Sequence, residues 1–296
     1  ELSAATWGMA KLVPPELFAS YTGYVDYVAI SVYPQHENSK KFRIYRSESD
    51  DPDDLDAYIP ITDWMTGTYW QDTTASPGTK YYYRAKASAL DDGSYPSEFG
   101  GYKAGMREMP LVENIQATNG DYMDRVRVTW DAVPGATHYR VYRAVRYDEE
   151  WPEQVSPWIT SRTWDDVPPE IGKTYQYWVK PTVDADDDLS YRWEFSGPDP
   201  GYRGIPAPGN LQASDGTYYD KVVVSWDPVP GAQYYTLYAS LTPDGNKYYR
   251  NYWQTDTSFV DTGLDPGKFY YFWVQASQYS WGWHPSEFAG PEPGHI

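Results

Sequence analysis

An internal repeat is the feature that most constrains what this sequence can fold into. Residues 121–142 read DYMDRVRVTWDAVPGATHYRVY, and residues 217–238, 96 positions later, read TYYDKVVVSWDPVPGAQYYTLY. A more diverged copy, GYVDYVAISVYPQHENSKKFRIY, lies at residues 23–45. Similarity at a fixed period indicates one structural unit that is used several times, so the sequence predicts three copies of a unit of roughly 95 residues.

The second half of the unit repeats as well. In every copy an aromatic residue is followed two positions later by Asp and eleven positions later by Tyr. The aromatic residues are Trp70, Trp164 and Phe259, and the tyrosines are Tyr81, Tyr175 and Tyr270. Each copy then closes on a Glu-Phe pair, at residues 98–99, 194–195 and 287–288. Because both halves recur in the same order, the repeat covers almost the whole chain.

Within the unit, apolar residues alternate with polar ones. Val126, Val128 and Trp130 alternate with Arg127 and Thr129. A period of two places one face of a β-strand in a core and the other in solvent. Proline and glycine turn signals separate these strands at the spacing that is typical of a two-sheet sandwich. The pattern predicts an all-β chain of three tandem β-sandwiches.

The repeat also divides the chain. The predicted units comprise residues 11–106, 107–204 and 205–296. Their joints, at residues 104–110 and 204–209, are short and contain Pro, which predicts units that are held end to end. Residues 1–10 fall outside the first unit. Three interpretations stay open for this extension: a disordered end, the remnant of a preceding module, or a strand exchanged with a neighbouring copy.

The Val-x-Val-x-Trp strand, the Pro-Gly-Ala turn, the Tyr-x-Val-Tyr strand and the Pro-Gly-x-x-Tyr strand together resemble fibronectin type III domains. The resemblance covers residues 11–291 and implies immunoglobulin-like β-sandwiches. It implies that Trp130 and Trp226 are the core tryptophans of the second strand. It also implies tyrosine corners, whose hydroxyls bond backbone groups just upstream, at Tyr81, Tyr175 and Tyr270.

The first unit departs from this pattern. Val32 stands where the other units have Trp, and residues 35–38, QHEN, replace the Pro-Gly-Ala turn. In the third unit, the stretch DGTYYDKV at residues 215–222 is similar to forms common in bacterial secreted and surface proteins. The resemblance therefore implies an extracellular or cell-surface location in a bacterium. The sequence begins with neither an initiating Met nor the apolar core of a signal peptide, which favours a processed mature end or a fragment of a longer protein.

The charge of the chain narrows the classes of partner. The net charge is −18 at pH 7, and the acidic excess is spread over all three units. An acidic surface repels phosphate backbones and anionic lipids, so we do not expect nucleic acid as a partner. No stretch is long and apolar enough to span a bilayer, so direct membrane insertion is not expected either. Divalent cations, neutral sugars and other proteins remain possible partners.

Residues with catalytic potential do not form a recognisable motif. The sequence has no Cys, which excludes disulfides, thiolate zinc sites and thiol nucleophiles. Its four His residues are scattered, and none pairs with another at metal-ligand spacing. Pairs of carboxylates like those of glycosidases can be proposed, but small sandwiches in a row offer loops and sheet faces instead of a cleft. We therefore expect no enzymatic activity and, calcium aside, no cofactor.

An acidic run at residues 184–188 raises the question of a calcium site. Calcium prefers six to eight oxygen ligands in a flexible geometry. The candidate carboxylates are Asp184, Asp186, Asp187 and Asp188. Leu189 and Phe195 stand where an EF-hand loop requires Gly and Glu, so that motif is absent. A solvated acidic loop is the competing interpretation.

Aromatic residues outside the predicted core are the candidates for an interaction surface. If Tyr177 and Val179 point inward, Trp178 points outward, and Trp273 occupies the same position in the third unit. The loops contribute further candidate rings, at Trp151, Trp158, Tyr279, Trp281 and Trp283. Exposed rings stack on sugar faces or anchor protein contacts. The competing interpretation is that they cover joints between units or long side chains.

These observations favour a structural function. The chain is expected to be a non-catalytic extracellular spacer, an adhesin segment or the subunit of a surface filament. It would act through contacts with its own copies or with other surface proteins. The alternative is a set of carbohydrate-binding or accessory modules of a secreted polysaccharide-degrading enzyme, with polysaccharide as the partner.

Overall fold

The computed structural model describes residues 12–49, 51–146, 152–168, 170–185 and 196–296. Residues Trp151, Asp186, Asp187 and Asp188, and the extension at residues 1–10, therefore lie outside the described residues. The described chain is built from short antiparallel strands, with a 3₁₀ turn at Leu55–Ala57. Within these residues, no helix has the length and apolar character that crossing a membrane requires.

The first repeat forms a three-stranded and a four-stranded sheet. The three-stranded sheet has the order β1-β2-β5, with β1 at Glu16–Ala19, β2 at Val28–Tyr33 and β5 at Tyr69–Asp72. The four-stranded sheet has the order β4-β3-β6-β7, with β3 at Lys41–Ser47, β4 at Ile59–Pro60, β6 at Lys80–Ser88 and β7 at Lys103–Met106. Both sheets are antiparallel throughout.

The second repeat has the same arrangement. Its three-stranded sheet, β12-β9-β8, consists of β8 at Gln116–Ala117, β9 at Val126–Thr129 and β12 at Thr163–Asp166. Its four-stranded sheet, β11-β10-β13-β14, consists of β10 at His138–Ala144, β11 at Glu153–Gln154, β13 at Tyr175–Thr182 and β14 at Asp199–Gly201.

The third repeat follows the same plan. Its three-stranded sheet, β15-β16-β19, consists of β15 at Gln212–Ala213, β16 at Val222–Ser225 and β19 at Ser258–Asp261. Its four-stranded sheet, β18-β17-β20-β21, consists of β17 at Tyr234–Ser240, β18 at Tyr248–Tyr249, β20 at Tyr270–Ser277 and β21 at Ala289–Gly294. One strand order used three times confirms the predicted tandem of all-β sandwiches.

By backbone proximity the chain divides into two compact units. The first comprises Glu1–Leu111, Ala132–His138 and Pro181–Arg192, and the second comprises Val112–Asp131, Tyr139–Lys180 and Trp193–Ile296. The first sandwich thus lies in the first unit, while the third sandwich and most of the second lie together in the second unit. The domain boundaries expected from the repeat, 11–106, 107–204 and 205–296, remain predictions.

Alternate strand residues from two sheets fill the core of each sandwich. In the first, Val28 and Ile30 of β2 meet Ile44 of β3 and Tyr83 of β6, and all four are fully buried. In the third, the buried cluster likewise combines residues of β16 with residues of β17 and β20. Burial of such apolar surface is the main favourable term in folding, so the residues that alternate along the strands also supply most of the stabilisation of each sandwich.

The tryptophans assigned to the core are buried. Trp130 and Trp226 directly follow β9 and β16, and each is 4% exposed. Trp130 packs on Tyr139 and Trp226 packs on Tyr235, with ring centroids 5.6 and 5.7 Å apart. Val32, which occupies the corresponding position in the first sandwich, is also part of the core.

The tyrosine corners take the geometry that the resemblance implies. The backbone N–H of Ser76 donates to the hydroxyl of Tyr81 at 3.1 Å, and that of Asp265 donates to Tyr270 at 3.1 Å. Tyr175 makes the equivalent backbone hydrogen bond with Glu170. Each hydroxyl thus reaches the backbone five residues upstream, which pins the turn before the strand.

The aspartate of the repeated aromatic-x-Asp motif is buried in an ion pair, a role that the sequence did not reveal. Arg46 donates to Asp72 at 2.9 Å, and Arg143 donates to Asp166 at 2.8 Å. In the third sandwich, Arg250 binds both oxygens of the equivalent aspartate, Asp261, at 2.5 and 2.6 Å. Each pair ties a strand of the four-stranded sheet, or the segment beside it, to the end of a strand in the opposite sheet.

A buried tyrosine completes this arrangement in two sandwiches. The hydroxyl of Tyr83 donates to Asp72 at 3.0 Å, and that of Tyr177 donates to Asp166 at 2.8 Å. The third sandwich has Phe272 in the same place, so its aspartate lacks a tyrosine donor and accepts hydrogen bonds from Arg250 and from the backbone N–H of Gly263. Burial, together with the neighbouring carboxylate, raises the pKa of Tyr83 and of Tyr177 far above the usual tyrosine value, which keeps both hydroxyls protonated as donors.

The ion pair of the first sandwich makes its stability depend on pH. Burial disfavours the charged form of Asp72, but hydrogen bonds from Thr74 and Arg46 outweigh it and lower the pKa of Asp72. A pKa that is lower in the folded state stabilises the fold above the unfolded value of about 3.9, and this contribution is lost as the pH falls through the folded value. We expect the amides of β5 and β6 to be better protected from hydrogen exchange in the wild type than in Asp72→Asn at pH 7, and the difference in protection to shrink below about pH 4. A difference that stays constant down to pH 2 would contradict this assignment.

Candidate functional site

The loop between β20 and β21 carries three of the predicted interaction residues on a closely hydrogen-bonded scaffold. The hydroxyl of Ser277 accepts a hydrogen bond from the N–H of Tyr279 at 3.0 Å and donates to the carbonyl of Trp283 at 2.9 Å. The N–H of Gly282 donates to the carbonyl of Tyr279 at 2.9 Å. The backbone that presents the rings is therefore fixed by the loop's own bonds.

Gly282 allows this loop to pack on a tryptophan. Its φ is +72°, and a Cβ at this position would lie 2.2 Å from the indole nitrogen of Trp253. Only a residue without a side chain combines the left-handed backbone with so close an approach. The ring of Trp253 thus supports the loop from below, between the two positions occupied by Trp281 and Trp283.

The first sandwich contains the same scaffold with different residues on it. Ser88 makes the bonds of Ser277, and Gly93, with φ +77°, packs on Trp64 as Gly282 packs on Trp253. The positions of Tyr279, Trp281 and Trp283 are occupied there by Leu90, Asp92 and Ser94. Serine, glycine and the supporting tryptophan therefore belong to the fold, whereas the three rings of the third sandwich do not.

These rings line a groove in the second compact unit. Tyr279 and Trp281 are stacked with centroids 5.1 Å apart, while Trp281 and Trp283 remain 65% and 59% exposed. The groove has a volume of about 410 Å³. Its lining, which we call the aromatic groove, consists of Asn119, Thr174, Gln176, Pro200, Tyr279, Trp281, Trp283 and His284. The first four belong to the second sandwich, so two sandwiches build it.

The aromatic groove is uncharged. Its lining contains no carboxylate, lysine or arginine, and its one titratable cation candidate is His284. Burial lowers the pKa of His284 below the usual histidine value, so its ring is neutral at pH 7. This ring lies against Tyr202 of the second sandwich, with centroids 3.8 Å apart. Such a surface suits a neutral ligand with flat apolar faces and a few polar groups.

The sequence model of the family described as the fibronectin type III domain matches residues 206–289, which contain most of the third sandwich. The third sandwich is a fibronectin type III domain. The first and second sandwiches share its strand order and its repeat residues, which confirms the resemblance for the tandem. A search of curated proteins returned no match.

Solved structures similar to this chain include other fibronectin type III domains. The chicken CNTN1 FN1–FN3 domains are 16% identical, with 95% of this chain and 98% of that chain covered and a TM-score of 0.27. A segment of two fibronectin type III domains from chicken tenascin is 15% identical over 62% of this chain and 98% of that chain, with a TM-score of 0.45. A Fn3-like protein from Clostridium thermocellum is 24% identical over 30% of this chain and 92% of that chain, with a TM-score of 0.28.

Two residues predicted to form an exposed surface on the fibronectin type III sheets are instead buried. Trp178 and Trp273 are only 4% and 3% exposed, so the prediction that they point into solvent is wrong. Trp273 lies opposite Tyr238 on the outer face of the sheet, as the alternation requires, but neighbouring side chains cover that face. The ammonium group of Lys247 lies 4.7 Å from the centre of the Trp273 ring.

The phenylalanine of the recurrent Glu-Phe pair helps to cover this outer face of the sheet. Phe288, of the Glu-Phe pair that closes the third copy, packs edge-on against Tyr238 with centroids 5.1 Å apart. Phe99 makes the same contact with Tyr45 in the first fibronectin type III-like sandwich, at 4.9 Å. The recurrence of this pair was therefore the sequence signal that the outer face is packed. The competing interpretation, that the outward rings cover long side chains, therefore describes Trp178 and Trp273 better.

The remaining candidates do not join the aromatic groove. Trp158 is partly buried, and the guanidinium of Arg140 lies 4.1 Å from its ring centre. Of the candidate calcium ligands only Asp184 is described, and its N–H donates to the hydroxyl of Thr182 at 3.2 Å. Within the described part of the chain, no three His, Cys, Asp or Glu residues come together as a metal site would require. Calcium binding by the run at 184–188 remains a hypothesis.

Proposed function

We propose that the chain is a non-catalytic extracellular structural segment whose fibronectin type III sandwiches serve as a spacer. Domains of this family are typically spacer or protein-interaction modules without catalytic activity, and they are commonly extracellular. The observation that carries the proposal is a packed apolar joint between the second and third sandwiches, inside the second compact unit. A joint of this kind sets the spacing of two domains, whereas a flexible linker does not.

Two isoleucines form this joint. Ile205, which is 3% exposed, belongs to the buried cluster of the third sandwich, and Ile171 of the second sandwich packs against the same cluster. Each isoleucine packs against a turn that contains a glycine. A Cβ at Gly172 would lie 2.7 Å from Ile205, and one at Gly231 would lie 2.5 Å from Ile171. The turns and the isoleucines therefore fit without room for another methyl group, as in a protein interior.

Loss of this packing is expected to loosen the joint. The chain has no Cys, so spin labels can be attached at two introduced cysteines, Val167→Cys and Tyr252→Cys, both at exposed positions. We expect a narrow distribution of label-to-label distances in this background and a broad one after Ile171→Ser, because a hydroxymethyl group cannot replace the lost apolar contact. The matched control is Leu241→Ser, an exposed aliphatic residue of the third sandwich, which should leave the distribution narrow. A distribution that is already broad before substitution would end the spacer proposal.

The proposed spacer would contact its own copies or other surface proteins, as an adhesin segment or a filament subunit does. Negative-stain images of the purified protein distinguish these cases. Regular end-on association of particles would support a filament subunit. Single particles at all concentrations would limit the role to a spacer within a larger assembly.

One observation favours the second candidate function, that of a carbohydrate-binding or accessory module. The aromatic groove presents exposed ring faces beside side-chain amides, and the fold of the loop does not require those rings. Carbohydrate binding and spacing are compatible in one protein, because the groove is built by the same two sandwiches that the joint connects.

A further inference from the structure

We infer that the aromatic groove binds an uncharged polysaccharide, whose pyranose rings stack on Trp281 and Trp283. This inference rests on the second candidate function and names its class of ligand, and it does not depend on the spacer. The two indoles, separated by Gly282, keep more than half of their surface in solvent, although Trp281 stacks on Tyr279. Adjacent exposed rings of this kind mark a binding surface, since scattered single rings are the ordinary case.

The loop of the first sandwich shows that these rings are additions to the fold. There the same serine, glycine and tryptophan hold the same backbone, and even the left-handed residue recurs, with φ +50° at Tyr95 and +52° at His284. Asp92 and Ser94 occupy the two tryptophan positions in that loop. Large apolar side chains at positions where small polar ones satisfy the same backbone indicate a role other than stability.

The charge of the site selects a neutral ligand. The chain carries a net charge of −18, yet the lining of the aromatic groove has no charged residue. An anionic polysaccharide would approach against the field of the whole protein and meet no cation in the groove. A neutral ligand meets neither obstacle.

The polar groups of the groove match hydroxyl groups. Asn119 and Gln176 each offer an amide that both donates and accepts, and Thr174 adds a hydroxyl that does the same. Sugar hydroxyls use both functions. A proline-rich peptide, the other ligand that favours aromatic grooves, has few N–H donors for the amide oxygens to accept. The volume of about 410 Å³ lies within the range of small-ligand sites, which corresponds to a short stretch of a polysaccharide chain.

Affinity electrophoresis of the full chain tests the inference. Because the chain is acidic, it migrates in native gels, and binding to a soluble polysaccharide in the gel retards it. We expect retardation by at least one of xylan, galactomannan and hydroxyethylcellulose, and none by anionic polygalacturonate. The variant Trp281→Asp/Trp283→Ser carries the residues of the first sandwich, so it should fold normally. Its affinity for the polysaccharide should be at least about tenfold lower than that of the wild type.

Two controls separate the outcomes. Tyr252→Ser removes a ring that is 94% exposed in the same sandwich but outside the aromatic groove, and it should retain binding. Thermal melting shows whether the double variant is folded; if it is not, the single variants Trp281→Ala and Trp283→Ala take its place. The inference is overturned if no neutral polysaccharide retards the chain, if the folded groove variants bind as well as the wild type, or if a proline-rich peptide quenches the tryptophan fluorescence while polysaccharides do not.

Discussion

Asp166→Ala is expected to lower the free energy of unfolding of the second sandwich by about 3 kcal/mol. Asp166 is 6% exposed, and its carboxylate accepts hydrogen bonds from Arg143 and from Tyr177. Removal of the carboxylate leaves the hydroxyl of the fully buried Tyr177 without this acceptor. It also leaves Arg143, which is only 8% exposed, without its inner partner. Glu153 still binds Arg143 at 2.6 Å, so the loss falls at the low end of the range for a broken buried pair.

The neighbouring aspartate provides the matched control. Asp165 also forms an ion pair, with Arg127 at 2.7 Å, but this pair lies on the surface. Exposed pairs contribute little because water and salt screen them, so Asp165→Ala should have a much smaller effect. Tyr177→Phe removes only the hydroxyl and should cost about 1 kcal/mol. The third sandwich already has this arrangement, with Phe272 beside an arginine-bound aspartate.

Hydrogen exchange followed by mass spectrometry measures these effects separately. A chain of several sandwiches does not unfold in two states, so one melting temperature does not report on one sandwich. Exchange of the amides in β12 and β13 reports the opening of the second sandwich alone. Equal effects of Asp165→Ala and Asp166→Ala on these amides would show that burial of the inner pair contributes nothing.

Gly282→Ala is expected to destabilise the loop of the third sandwich by about 2–4 kcal/mol and to abolish binding in the aromatic groove. The φ of +72° costs an alanine about 1 kcal/mol. The added methyl group would also lie 2.2 Å from the ring of Trp253, which is rigid and cannot yield without moving. Since Trp281 and Trp283 flank this glycine, a shift of the loop displaces both rings.

Gly267→Ala isolates the first of these contributions, the backbone strain. Gly267 has nearly the same φ, +77°, but a Cβ there would meet nothing within 4 Å. Its replacement should therefore cost only the backbone strain, about 1 kcal/mol, and leave polysaccharide binding intact. Hydrogen exchange of β20 and β21 and the electrophoretic assay give the two readings. If the two alanine variants behave alike, the support of the loop by Trp253 is not what holds the rings in place.

Local properties of the sequence were sufficient to predict the architecture. The alternation at Val126 and Val128, the Pro-Gly turns and the period of the repeat each depend on neighbours along the chain, and the structure confirms all three. The tyrosine corner at Tyr81 was predictable for the same reason, because its hydroxyl reaches only five residues upstream. Periodicity identified the face of the sheet to which a side chain points.

The tertiary structure alone decided which outward residues are exposed. Trp273 follows the alternation and still is buried, since Phe288 and Lys247, distant in sequence, cover its face of the sheet. The sequence likewise marked Asp166 as recurrent, but the arginine that binds it lies on another strand. The aromatic groove is the clearest case, because half of its lining comes from a different sandwich. An alternating pattern determines direction within one sheet, whereas exposure depends on whatever packs against that sheet from elsewhere in the chain.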